Sequence, residues 1–132
     1  GGGESNSLIG SNSFIGGGGG NIVSGIYSSI LAGDQNKIYS SYSNAMGRRV
    51  VIANSDLGAT VISDGQERFH YSRGAHTLNL DFFNGVYFKL PYFTGSSSQT
   101  GNRGEMAVSG DYLYVCTGTN GSGWARTQLT SF

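Results

Sequence analysis

Any chemistry in this 132-residue chain would have to come from a few side chains. Glycan cleavage needs two carboxyls facing one groove. The acids beyond the N-terminus are Asp34, Asp56, Asp64, Glu67, Asp81, Glu105 and Asp111. Several lie in apparent turns, where Asp shapes the backbone. Asp64 and Glu67 are close in sequence, yet nothing in their spacing makes them converge. His70 and His76 stand six apart, which suits neither a helical zinc pair nor a close strand pair. One histidine per chain gathered around a three-fold axis is the route to a metal that stays open. Cys116 is the only cysteine. It excludes an intrachain disulfide and a cysteine-based zinc site, and within Tyr-Leu-Tyr-Val-Cys it reads as a small buried strand residue. No G-x-S-x-G elbow accompanies the many serines. The glycine run 16–20 lacks the lysine and helix start of a phosphate loop, so it reads as a turn. The expectation is no catalytic residue, no metal and no cofactor.

The elements that would position any site come from a repeat. Rows of fifteen read NSLIGSNSFIGGGGG (6–20), NIVSGIYSSILAGDQ (21–35), NKIYSSYSNAMGRRV (36–50) and VIANSDLGATVISDG (51–65). Asn6, Asn21 and Asn36 form one column, and Ser13, Ser28 and Ser43 another. Leu8, Val23, Ile38 and Ala53 form a third column, and Ile15, Ile30, Ala45 and Thr60 a fourth. A fixed short period marks a solenoid. Glycine and serine are poor helix formers, so each row reads as one β-coil of two short strands. Within a row, alternate positions carry Asn, an aliphatic residue and a small residue, the period-two pattern of a half-buried strand. Stacked Asn and Ser can hydrogen-bond along their columns. The column Gly16, Leu31, Met46, Val61 faces outward and becomes apolar along the chain. An apolar outward stripe points to an interface, so Leu31, Met46 and Val61 are the expected self-association residues.

Rows of the form N-x-I-x-G-x-x-S-x-I-x-G-G resemble the head repeats of trimeric autotransporter adhesins, the YadA-like β-roll, and similar rows occur in bacteriophage tail fibres. The best rows are NIVSGIYSSILAGDQ and SNSFIGG. The fourth departs, with Val51 for Asn and Gly58 for Ser. The resemblance covers roughly the first half and implies a homotrimer.

Composition agrees with a small β-protein. Only 12% of residues are charged and the eight acids balance the eight bases, which argues against nucleic acid. Eight Tyr and seven Phe have to be buried somewhere, which argues against disorder. With 23 glycines a private core gains little, and burial between copies would help. No apolar run is long enough to span a membrane and no secretory signal is visible. Gly1 to Ser5 reads as a flexible lead-in, and the start Gly-Gly-Gly-Glu without a methionine reads as the tail end of a longer protein.

After Gly65 the repeat stops, and 66–76 reads as a connection. From 77 the chain reads as an antiparallel β-meander. Leu78, Leu80 and Phe82 alternate, Asn84-Gly85 signals a hairpin, and Val86, Phe88 and Leu90 alternate back to Pro91. A second hairpin joins 105–108 to 112–117, and 124–129 supplies a last strand. The segment 104–129, GEMAVSGDYLYVCTGTNGSGWARTQL, resembles the C-terminal β-meander of many phage tail-fibre proteins.

The expected architecture is therefore all-β. A short parallel β-solenoid of four fifteen-residue coils (1–65) is followed by a small antiparallel module (77–132) that caps it, in an intimate homotrimer. The expected function is attachment, as the distal part of a phage tail fibre in the virion recognising a host-surface glycan or protein. The alternatives are an adhesin head on a bacterial surface and a glycan-cleaving tail spike. Receptor contacts are expected around the loops 95–104 and 118–123, from Tyr92, Phe93, Asn102, Arg103, Asn120 and Trp124.

Overall fold

The computed structural model describes residues 2–65, 67–91, 103–118 and 123–130. Among them there is no helix. Two compact units divide after Val86.

Unit 1 is a parallel β-solenoid. Its strands are β1 (Ser7–Leu8), β2 (Phe14–Ile15), β3 (Ile22–Val23), β4 (Ser29–Asp34), β5 (Lys37–Ile38), β6 (Asn44–Arg48), β7 (Val50–Ile52), β8 (Thr60–Ser63), β9 (His70–Tyr71) and β10 (Leu78–Asp81). Odd strands form one five-stranded sheet, β1-β3-β5-β7-β9, and even strands form the other, β2-β4-β6-β8-β10. Each coil gives one strand to each sheet, so there are five coils rather than the expected four.

The interior is a single column of small and aliphatic side chains, including Val23, Ile30, Ile38, Val50, Ile52 and Val61, each at most 1% exposed. Polar columns run beside it. The Asn6 amide oxygen accepts the Asn21 N–H at 3.1 Å, Asn21 accepts Asn36 N–H at 3.0 Å, and Asn36 accepts Val50 N–H at 3.0 Å. Each amide nitrogen donates, at 2.8 Å, to the next coil's glycine carbonyl: Gly18, Gly33 and Gly47 in turn. Serines at the other corner do the same work. Ser13 Oγ accepts Ser28 N–H and donates to Gly25 O, and Ser28 Oγ accepts Ser43 N–H and donates to Ser40 O. The glycines that receive the amide bonds sit where coils press closest. A Cβ on Gly33 (φ 131°) would land on the Gly47 carbonyl oxygen, so only glycine fits.

The strict fifteen-residue grid holds through the third coil and then fails. Lys37 pairs with Val51, fourteen on, whereas Asn44 pairs with Thr60, sixteen on. A bulge in β4 between Ile30 and Gly33 has no counterpart in β6, which brings β7 forward by one residue. The 53–58 corner then lengthens and sets β8 back. The outcome is that Val50, Ile52, Ala59 and Val61 are buried. The expected columns would have turned Ala53 and Thr60 inward. A one-residue slip exchanges the two faces of a strand, and the chain takes the register with the larger aliphatics inside. Val61 is therefore core, and the expectation that it faces outward is corrected. Its place on the outer face belongs to Ile62, which pairs with Met46.

Two further expectations change. The segment read as a connection contains β9, which joins the solenoid at Val50↔His70 and Val51↔Tyr71. β10 pairs parallel to β8, from Leu78↔Thr60 to Asp81↔Ser63, and does not open a meander. Asn84-Gly85 does make a turn, with Gly85 N–H bonded to Phe82 O at 3.0 Å, but 86–91 form no strand.

Unit 2 is the expected antiparallel sheet, β11 (Met106–Ser109), β12 (Tyr112–Cys116) and β13 (Trp124–Gln128), in that order. Among its described residues Ala107 and Cys116 are buried, and Cys116 is the small buried strand residue expected.

The ladder carries a direct test. Asn36→Ala strands the buried Val50 N–H and removes the side-chain bond to the Gly47 carbonyl. At about 1–3 kcal/mol for a buried group left unpaired, urea denaturation should show a loss of about 1–3 kcal/mol. Asn44→Ala, at an exposed position, should cost about 0.5 kcal/mol or less.

Candidate functional site

The outer face of the even-numbered sheet carries the stripe. Register places Met46, Ile62 and Leu80 in one line, and Leu31 precedes Met46 across β4 and β6. Leu31 is 56% and Met46 37% exposed. A shallow apolar groove of about 200 Å³ runs between Leu31, Met46 and Ile62. Phe14 and Leu78, at opposite ends of the neighbouring column, are also exposed. The stripe is thus one residue longer than expected, because β10 adds Leu80. Only the fourth-coil residue had to be reassigned.

The corner between the sheets holds a second aromatic feature. Tyr27 and Tyr42 stack with ring centroids 5.3 Å apart at 16°. Both adopt left-handed backbone (φ 55° and 57°), as do Asn12 and His76 in the same column. Bulky residues pay a steric cost there, which an aromatic stack of about 0.5–1.5 kcal/mol partly offsets.

Charge gathers in the fifth coil. His70 is 2% exposed, and its Nδ1 lies 2.6 Å from Asp81 Oδ2. The other Asp81 oxygen accepts Arg68 Nη2 at 3.2 Å. The hydrogen bond from His70 is the main influence holding the Asp81 carboxyl below its usual range, with burial opposing and the His70 and Arg68 charges assisting. His70 Nε2 is buried without a partner among the described residues. Asp56 anchors the same coil to the fourth, accepting from the Ser72 hydroxyl, from Ser55 Oγ at 2.9 Å and from Gly74 N–H at 3.3 Å. Those hydroxyls, Ser72 first, lower its pKa. Asp34 pairs with Arg48 at 3.4 Å, and Asp64 accepts Phe83 N–H at 2.7 Å. His76 is exposed, and among the described residues no three His, Cys, Asp or Glu gather as a metal set.

Of the expected receptor residues, Tyr92, Phe93, Asn102 and Asn120 lie outside the described residues. Arg103 is exposed ahead of β11, and half-buried Trp124 opens β13 opposite Cys116. The sheet places Tyr114 opposite Arg126, and the Arg126 guanidinium sits 4.7 Å from the Tyr112 ring centre. This cation–aromatic pair was missed. The alternation of Tyr112 and Tyr114 on one face was the signal that could have found it.

No family model, curated protein or solved structure matches the chain. Among the described residues no helix is long and apolar enough to cross a membrane.

The carboxylate fasteners of the fifth coil make it acid-sensitive. A carboxyl whose folded pKa is depressed adds stability above its unfolded pKa and loses it as pH falls through the folded value. For Asp56 and Asp81 that window lies below about pH 4. The urea midpoint of the native chain should fall between pH 5 and pH 2. In an Asp56→Asn/Asp81→Asn variant it should start lower and change less.

Proposed function

We propose that the chain is the distal part of a trimeric attachment fibre of the phage tail-fibre kind, recognising a glycan or protein on a host surface. The observation that carries this reading is the apolar line Leu31, Met46, Ile62 and Leu80 on a regular β-face. Leu31 and Met46 stand exposed along it, and exposed apolar patches of this kind mark association surfaces. The occupant proposed is a second and third copy of the same chain, because identical ladders have identical spacing and closed symmetry buries every stripe. Leu31 and Met46, joined by Ile62, are the proposed contact residues.

Receptor contacts are assigned to unit 2, around Arg103 and Trp124, together with Tyr92, Phe93, Asn102 and Asn120. Attachment is favoured over glycan cleavage because four of the seven candidate acids, Asp34, Asp56, Asp64 and Asp81, each accept a bond that holds the solenoid together. A catalytic pair would need two carboxyls free to face substrate.

Light scattering on a sizing column tests the assembly. Three chains of 13.9 kDa are expected, and Met46→Lys should give single chains with the solenoid still folded. The native trimer should adhere to host cells, and the monomeric variant should lose adhesion through lost avidity. A native monomer would overturn the reading.

A further inference from the structure

The inner columns of the first three coils are fastened by neutral amides and hydroxyls, but the fifth coil sets Arg68, Arg73 and Asp81 in the wall of an open bowl, with His70 buried behind Asp81. β9 and β10 are the terminal strands of the two sheets, so this bowl opens at an end of the solenoid. It has a volume of about 230 Å³ and is lined by Arg68, Phe69, Tyr71, Ser72, Arg73 and Asp81.

Its charge is unbalanced. Asp81 is the one acid in the wall, and both its oxygens are taken, by His70 and Arg68. Asp56 stands behind Ser72 with its oxygens engaged by Ser55, Ser72 and Gly74. Glu67 lines a separate depression beyond Arg68, with Phe82 and Phe83. The Arg73 guanidinium makes no ion pair among the described residues. Lys37 adds a further cation, its ammonium 5.6 Å from the centre of the Phe69 ring. An anion is the complement of such a wall, and a free guanidinium grips a carboxylate through two parallel hydrogen bonds.

The remaining surface is aromatic. Tyr71 is 63% and Phe69 42% exposed, beside a cation that would hold an anion in place. Flat apolar walls next to a carboxylate grip suit a ligand with one ring and one acid group. Pockets for drug-sized ligands run from about 300 to 1,000 Å³, so this one suits a single ring rather than a peptide segment.

We propose that the bowl of the fifth coil binds a carboxylate-bearing sugar ring of the uronate class, with Arg73 on the carboxylate and Tyr71 against the ring. As a statement of what the chain attaches to, this rests on the attachment reading. As a binding site it lies within one chain and is measured without cells.

The test is a titration of the full chain with sodium glucuronate, glucose, acetate and inorganic phosphate, followed by amide chemical shifts. Glucuronate should saturate, moving signals of Phe69, Tyr71 and Arg73, with glucose, acetate and phosphate at least about tenfold weaker. Arg73→Ala should weaken glucuronate about tenfold or more, and Arg73→Lys should recover only part of that, because it restores charge without the fork. An unchanged urea midpoint shows that either variant is folded. Acetate or phosphate binding as well as glucuronate would overturn the proposal in favour of a plain counter-ion, and glucose binding as well would remove the role of charge. Shifts centred elsewhere, or none, would also overturn it. Monomeric Met46→Lys should still bind glucuronate, so loss of cell adhesion in that variant bears on the attachment reading alone.

Discussion

The solenoid depends on one exchange of hydrogen bonds, the asparagine carboxamide that takes an N–H from the next coil and gives its own N–H to that coil's glycine carbonyl. A fifteen-residue coil is too narrow to bury much hydrocarbon, and its corners break the regular ladder of backbone pairs. Polar groups at those corners would be stranded in the interior, at a cost comparable to the whole gain from a buried valine. Asn21 and Asn36, fully buried, remove that cost on one side, and Ser28 and Ser43 remove it on the other. In the coils where they fix the corners, the short strands between them keep the fifteen-residue register. The aliphatic column follows as a consequence.

Where the ladder ends, the structure changes character. Val50 has no side-chain acceptor to offer the next coil, and His70 N–H bonds instead to Arg49 O at 2.8 Å. The fourth coil is held to the fifth through Asp56, and the fifth is braced across its own width by His70 and Asp81. Neutral fasteners have given way to ionised ones. Ionised groups prefer water nearby, so they gather at the end of the stack and leave an open, charged bowl there.

The parts of this fold legible from sequence are those that need one residue type at one place. Asn6, Asn21 and Asn36 are readable because no other side chain can both accept and donate in that geometry. The outer stripe was readable in its first coils for the same reason of strict spacing. The fourth coil was not, because Val50, Val51 and Ile52 are apolar on both faces. Alternation cannot choose between two registers that differ by one residue, and the bulge between Ile30 and Gly33 made the choice. The fifth coil hid behind its longer entry, 64–69, and behind His70 standing in the asparagine column. Leu78–Asp81 alternates equally well as a parallel or an antiparallel strand, so the Asn84-Gly85 turn carried too much weight. The charged bowl was invisible because it joins residues from both ends of that coil.

The spacing of the ladder also bears on how the chain acquires its shape. In coils one to three every partner lies about fifteen residues away, whatever the total length, so no contact waits for a distant segment. Chains whose contacts are near in sequence close small loops and fold quickly. Each coil can add to the one before it as soon as its own asparagine is in place. The exception is the last coil, whose entry is longer and whose brace, from His70 to Asp81, closes within itself. Its bonds reach back to Asp56 of the fourth coil and to Arg49 at the end of the third, so it has a place to seat only where those two are already set.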